Sequence, residues 1–170
     1  MPPIPAYLAK VNVLKIAIWA FGKPHDPAIA SAIRDYSERI ARYHSLDWKL
    51  IDPPRGAGSL TESHLKKEEA IQVLHLLKPR DCLLLLEEKG KSLSSAAFAR
   101  VFAEFLAEGH SRIVFLIGGA FGVDVSVGER ANYRWSLSEL TFPHQLVRLM
   151  LAEQIYRACS MLRGEKYHHP

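Results

Sequence analysis

Apolar residues in this chain come in short continuous runs, and the stretches between them are amphipathic at helical spacing. Residues 14–20 are the first run and read as a buried strand, closed by Phe21-Gly22-Lys23. Asp26 and Pro27 supply a cap and a first-turn residue for a helix over about 28–43. Residues 46–51 read as a second strand, and Asp52-Pro53-Pro54-Arg55-Gly56-Ala57-Gly58 is a loop by composition. Thr61 opens a helix to about Leu77, ended by Pro79. Residues 82–86 are continuously apolar, as in a central parallel strand covered on both faces. Ser94 or Ser95 caps a helix to Glu108, and Gly109 stops it. Residues 113–117 form the next apolar strand, followed by Gly118-Gly119. A short helix near 123–131 and a strand near 133–138 come next. Pro143 starts the last helix, and Gly164 lies near its end. The apolar stripe of that helix, Leu151, Ile155, Ala158 and Leu162, repeats at spacings of 4, 3 and 4.

Alternating strands and helices predict an α/β fold with a mainly parallel sheet flanked by helices. In such sheets ligands bind beyond the carboxyl ends of strands. The loops after Leu86, Ile117 and Ser138 are therefore where a site is expected. The chain of 170 residues reads as one domain over 14–170, preceded by an extension over 1–13. The first ten residues hold three prolines and no periodicity.

Composition narrows the class. A hydrophobic share of 48% with 24% charged residues describes an ordinary globular protein. The first apolar stretch is cut by Lys10 and Lys15 and has no small-residue cleavage pattern, so it is not read as an export signal. No run approaches the roughly 20 apolar residues of a membrane span. A cytoplasmic protein without a membrane partner is expected. A formal net charge of +4 permits a nucleic-acid partner without demanding one. The cysteines, Cys82 and Cys159, lack metal-site spacing and read as small buried hydrophobes in a reducing compartment. No metal is expected.

Several motifs carry chemistry, each beside a plainer reading. Gly118-Gly119-Ala120-Phe121-Gly122 lets backbone approach a ligand, or is simply a strand-to-helix turn. It lacks the Gly-Lys-Ser/Thr of a phosphate loop and matches a dinucleotide fingerprint poorly. In Leu86-Glu87-Glu88-Lys89-Gly90-Lys91-Ser92, either Gly90 opens space for a cofactor and the lysines face an anion, or the segment is a solvated charged turn. Ser136-Leu137-Ser138-Glu139-Leu140-Thr141-Phe142 alternates hydroxyls with apolar groups, which suits gripping a flat adenine, or is an ordinary connection. His144 stands at a helix start, where the helix dipole favours its neutral form. Glu153 and Arg157 are an i, i+4 pair, worth about 0.3–0.5 kcal/mol if exposed. Tyr167, His168 and His169 suit stacking on a base and proton contact with it, or are a frayed tail.

The combination is more specific than its parts. Leu86 with Gly90-Lys91, Gly118-Gly119 with Gly122, Leu137-Ser138-Glu139-Leu140-Thr141-Phe142-Pro143-His144-Gln145, Arg148, Glu153-Gln154, Tyr156-Arg157-Ala158 and Tyr167-His168 together resemble the RlmH family. These are SPOUT-class methyltransferases that act on a pseudouridine of large-subunit ribosomal RNA. The resemblance covers about residues 14–169. It implies a C-terminal trefoil knot, a homodimer and S-adenosylmethionine as methyl donor. The acceptor it implies is N3 of a pseudouridine in helix 69 of 23S rRNA, within the assembled ribosome.

By that resemblance Leu86, Gly118, Gly119 and Gly122, with Ser136, Leu137, Ser138, Glu139, Leu140, Thr141 and Phe142, form the cofactor pocket. His144, Arg148, Tyr156 and Arg157 support the site or the dimer interface. Tyr167 and His168 reach the target base, in their own chain's site or in the partner's. The implied chemistry is a direct displacement by N3 that needs no metal. Many members carry Arg or Lys after the Tyr-His pair, whereas this chain has His169 and then Pro170. A histidine is mostly neutral near pH 7, which reduces electrostatic help from that position. Lys166 or Arg163 is the expected substitute charge. The rival readings are a SPOUT enzyme acting on tRNA and a ribosome-binding dimer without methyl transfer. Substrate assays separate the first, and cofactor binding separates the second.

Overall fold

The computed structural model describes residues 13–167. Its elements, in chain order, are β1 (Lys15–Phe21), α1 (Pro27–Ile40), β2 (Ser45–Ile51), α2 (Glu62–Leu76), β3 (Asp81–Ser92), α3 (Ser95–Ala107), β4 (Arg112–Ile117), α4 (Val125–Arg130), β5 (Tyr133–Ser136) and α5 (His144–Leu162). A short 3-10 turn, Ala57–Ser59, lies in the loop before α2. The strands form one five-stranded sheet in the order β2-β1-β4-β3-β5, with every pairing parallel. This is the expected α/β architecture. The proposed extension at 1–13 lies outside the described residues except for Val13.

Alternation along each strand explains the layers. On one face, Ile16, Ile18, Leu84, Leu86, Phe115 and Trp135 pack with Phe98 and Phe102 of α3 and with Leu151 and Ile155 of α5. On the other, Ala17, Trp19, Leu83, Leu85, Val114 and Leu116 pack with Ala70 and Val73 of α2 and Val127 of α4. Both faces being covered, the central strands are apolar throughout, as their sequences suggested. The stripe Leu151, Ile155, Ala158 and Leu162 is buried as its spacing requires. Cys82 and Cys159 are buried, and burial pushes both thiols up to about 12.

Caps set the helix starts. The side chains of Asp26, Thr61, Ser94 and Asp124 each accept a backbone N–H in the first turn of α1, α2, α3 and α4. Ser94 is thus the cap, and Ser95 begins the helix. Helix α1 stops at Ile40 rather than near 43, because residues 41–43 tighten into turns. Arg42 N–H donates to Arg39 carbonyl, and Tyr43 N–H to Ile40 carbonyl.

The largest difference lies in β3. A turn is expected after Leu86, but the strand continues to Ser92. Leu86 and Lys91 both pair with Trp135, and Ser92 pairs with Ser136. Residues 87–90 therefore bow out and the strand rejoins the sheet. A Cβ on Gly90 would sit 2.5 Å from the carbonyl carbon of Trp135, so only glycine lets the two backbones lie so close. Gly90 thus serves strand packing, a role neither reading of its motif foresaw. No described helix is long and apolar enough to cross a membrane.

Candidate functional site

Sheet order assembles the site. With β3 between β4 and β5, Leu86 pairs with Ile117 on one side and with Trp135 on the other. The loops that leave these strands are consequently neighbours. They hold the cofactor residues expected from sequence: Leu86, then Gly118, Gly119 and Gly122, then residues 136–142. Leu86, Gly118, Gly119 and Ser136 are buried, while Glu139, Leu140 and Thr141 are exposed.

The last of these loops is held by its own hydroxyls. Ser136 Oγ donates to the Ser138 carbonyl at 2.8 Å, and Ser138 Oγ accepts from Leu140 N–H at 3.0 Å. Thr141 Oγ1 donates to the Glu88 carboxylate at 3.4 Å, linking this loop to the bow of β3. Arg134 and Glu87 form an ion pair along the same edge. Beneath, Trp135 stacks on Phe98 with ring centroids 4.0 Å apart. The alternation of hydroxyl and apolar residues thus serves the loop's own shape.

Sequence reading missed one residue. Glu69 of α2 is only 7% exposed, and its carboxylate lies against Gly119. A Cβ on Gly119 would sit 2.4 Å from Glu69 Oε2. No hydrogen bond or ion pair to Glu69 occurs among the described residues, and burial holds its pKa above the ordinary carboxylate value. Glu69 faces a shallow cleft lined also by Phe21, Lys66, Val123 and Asp124. Nothing in the sequence separates it from half-buried Glu68; only the close approach of α2 to the β4 loop does.

The start of α5 is bound to the loop after β1. Arg148, 1% exposed, donates to the carbonyls of Phe21 and Lys23, each at 2.9 Å. Gln145 accepts from Asp26 N–H at 3.1 Å and donates to the Pro24 carbonyl at 3.2 Å. His144 stands at the surface beside them. Partial desolvation, and then the positive charge of Arg148, hold its pKa below the ordinary value. His144 is thus neutral at pH 7.

The far end of α5 holds the tail. The chain turns at Gly164 and returns along α1 and α5. Tyr167 Oη donates to Glu153 Oε1 at 3.2 Å and lies 3.3 Å from Tyr36 Oη. Its ring packs edge-on to Tyr156, and the Arg157 guanidinium lies over it at 4.9 Å. Arg157 Nε also donates to Glu153 Oε1 at 2.9 Å, so the expected i, i+4 pair forms and takes in the tail. Of the expected catalytic residues, Tyr167 and Arg157 come together. His144 does not join them: it lies 13 positions before Arg157 on one helix, about 20 Å along its axis. His168 and His169 lie outside the described residues.

Residues 14–168 match the family described as predicted SPOUT methyltransferase. The chain belongs to the SPOUT methyltransferase family. Three relatives, each named Ribosomal RNA large subunit methyltransferase H, are similar over nearly their full length. The protein of Cytophaga hutchinsonii is 36% identical over 92% of this chain and 100% of its own. That of Acetivibrio thermocellus is 38% identical over 91% of this chain and 99% of its own. That of Desulfitobacterium hafniense is 39% identical over 92% and 99%.

For a SPOUT methyltransferase the arrangement has a clear chemical sense. Bare glycine backbone after β4 and a hydroxyl-pinned loop after β5 leave strands that flank β3. Among the described residues no group of three or more His, Cys, Asp or Glu is placed to hold a metal ion.

Proposed function

We propose that this chain transfers a methyl group from S-adenosylmethionine to N3 of a pseudouridine in helix 69 of 23S rRNA, acting on the assembled ribosome. The observation that carries this reading is the full-length similarity to relatives named Ribosomal RNA large subunit methyltransferase H. A cytoplasmic homodimer and a C-terminal trefoil knot belong to the same reading.

The residues present fit the donor. Gly118, Gly119 and Gly122 offer bare backbone, and residues 136–142 offer backbone polar groups between apolar side chains. Leu86 and the two loops hold the adenosine by shape and backbone hydrogen bonds. When bound, the donor supplies an electrophilic methyl group on positively charged sulfur. The chain's own task is to hold N3 in line with that methyl and to accept its proton. His144, whose pKa burial and the charge of Arg148 hold below the ordinary value, suits the second task. Tyr167 and His168 reach the target base. Tyr167 is held against the middle of α5 and against α1 by Glu153, Tyr156, Arg157 and Tyr36. Glu153 and Arg157 then act by fixing Tyr167.

The net charge of +4 is modest for an RNA enzyme and favours recognition of ribosome shape over tight binding to free RNA. The test is transfer of labelled methyl from S-adenosylmethionine to ribosomes lacking this modification, with free 23S rRNA and tRNA alongside. Label at one pseudouridine of ribosomal large-subunit RNA is expected. Label on tRNA alone moves the substrate; no label on any RNA, with donor still bound, overturns the reading as an active enzyme.

A further inference from the structure

Helix α1 carries no residue of the expected site, yet it holds the tail. Tyr36 Oη lies 3.3 Å from Tyr167 Oη, across 131 positions of chain. The direction of that bond follows from a proton count. Tyr167 has one hydroxyl proton and donates it to Glu153 Oε1 at 3.2 Å. The proton between the two tyrosines therefore belongs to Tyr36, which donates to Tyr167. Glu153 is fixed in its turn. Arg157 Nε donates to its Oε1 at 2.9 Å, and Gln154 Nε2 donates to its Oε2 at 2.6 Å. Gln154 Oε1 accepts from Ser95 Oγ of α3 at 2.8 Å. Tyr36 is held as well. The Arg39 guanidinium lies 5.6 Å from its ring centroid and 5.5 Å from that of Tyr156, and Asp35 pairs with Arg39 at 2.8 Å. The Tyr167 oxygen is thus gripped from two directions, by a carboxylate on α5 and by a phenol on α1. Two bonds at one oxygen fix where the ring points, whereas one alone lets it swing.

We propose that Tyr36 is a positioning residue for methyl transfer: its hydroxyl sets the place of Tyr167 and, through Tyr167, the place of the target base. This rests on the reading that Tyr167 reaches that base. In this role Tyr36 touches neither the base nor the methyl donor. Its loss slows transfer by loosening the alignment of the acceptor and leaves donor binding alone.

Tyr36→Phe removes the hydroxyl and keeps the ring that Arg39 and Tyr156 meet. The test is single-turnover transfer to ribosomes lacking the modification, with S-adenosylmethionine affinity measured by calorimetry. Tyr36→Phe is expected to slow transfer by roughly three- to tenfold, the worth of one hydrogen bond, with donor affinity unchanged. Tyr167→Phe should slow it at least as much, and adding Tyr36→Phe to that variant should slow it no further, since the shared bond is already gone. A full further loss in the double variant overturns the proposal. So does transfer by Tyr36→Phe at the wild-type rate, or weakened donor binding in it. Transfer by Tyr167→Phe at the wild-type rate removes the role of Tyr167 on which the proposal stands. Wild-type protein that methylates no ribosome overturns the functional reading instead. The anchoring is then read from tryptic cleavage after Lys166: faster cleavage of Tyr36→Phe than of wild type supports Tyr36 as the anchor, and equal rates overturn it.

Discussion

Arg148 donates to the Phe21 carbonyl at 2.9 Å, joining two residues 127 positions apart. With the second bond, to Lys23, this fastens the entry of α5 to the exit of β1. Arg148→Met leaves both carbonyls without their donor and is expected to destabilise the protein by about 3 kcal/mol in urea unfolding. It also removes a positive charge that lowers the pKa of His25 and of His144, although burial is the larger cause for both. Both imidazole pKa values should rise in an NMR titration of this variant and stay low in Arg148→Lys.

Gly90→Ala places a methyl group within 2.7 Å of three backbone atoms of Trp135 and Ser136. Backbone cannot swing aside as a side chain can. The expected loss is on the order of 2–4 kcal/mol, with amide shifts concentrated in β5 and residues 136–142. On the proposed role of that loop in holding the donor, donor affinity should fall as well.

His44 is buried, and its Nδ1 accepts from Leu14 N–H at 3.2 Å, which requires an unprotonated nitrogen. Burial, with help from Arg163, lowers its pKa to about 4. Between that value and the ordinary 6.5 the unfolded chain binds more protons than the folded one. Stability should therefore fall as pH drops from 6.5 towards 4, by up to about 3 kcal/mol from this group. His44→Gln should flatten that part of the stability curve.

Glu69 has the opposite sign. Its folded pKa is raised by burial, so the folded chain holds the proton longer and stability falls as pH rises through that window. Glu69→Gln should lose that pH dependence, so its stability relative to wild type should rise with pH in a urea-unfolding series.

Much of the fold could be read from apolar runs, because strands covered on both faces leave an uninterrupted pattern. Cys82 to Leu86 and Ile113 to Ile117 were legible for that reason. The continuation of β3 was not, since Glu87, Glu88 and Lys89 carry the composition of a turn. What brings the chain back to the sheet beyond them is the pairing of Lys91 and Ser92 with Trp135 and Ser136, a long-range contact that no local window contains. The cofactor loops were legible as glycine and hydroxyl motifs following strands. Glu69 was not, because its neighbour Gly119 is 50 positions away. Arg148 stood out only as part of a family pattern, and its two carbonyl partners belong to a segment read simply as a strand end.

The double pairing of Leu86 and Lys91 with Trp135 has one more consequence. A loop whose two ends are pinned to the same residue has surrendered most of its conformational entropy before any ligand arrives. Residues 87–90, which carry Glu88 to Thr141 and Glu87 to Arg134, form such a loop. The ordering of that segment falls on folding, so a molecule that meets it on the proposed reading spends its contact energy on affinity rather than on arranging the surface.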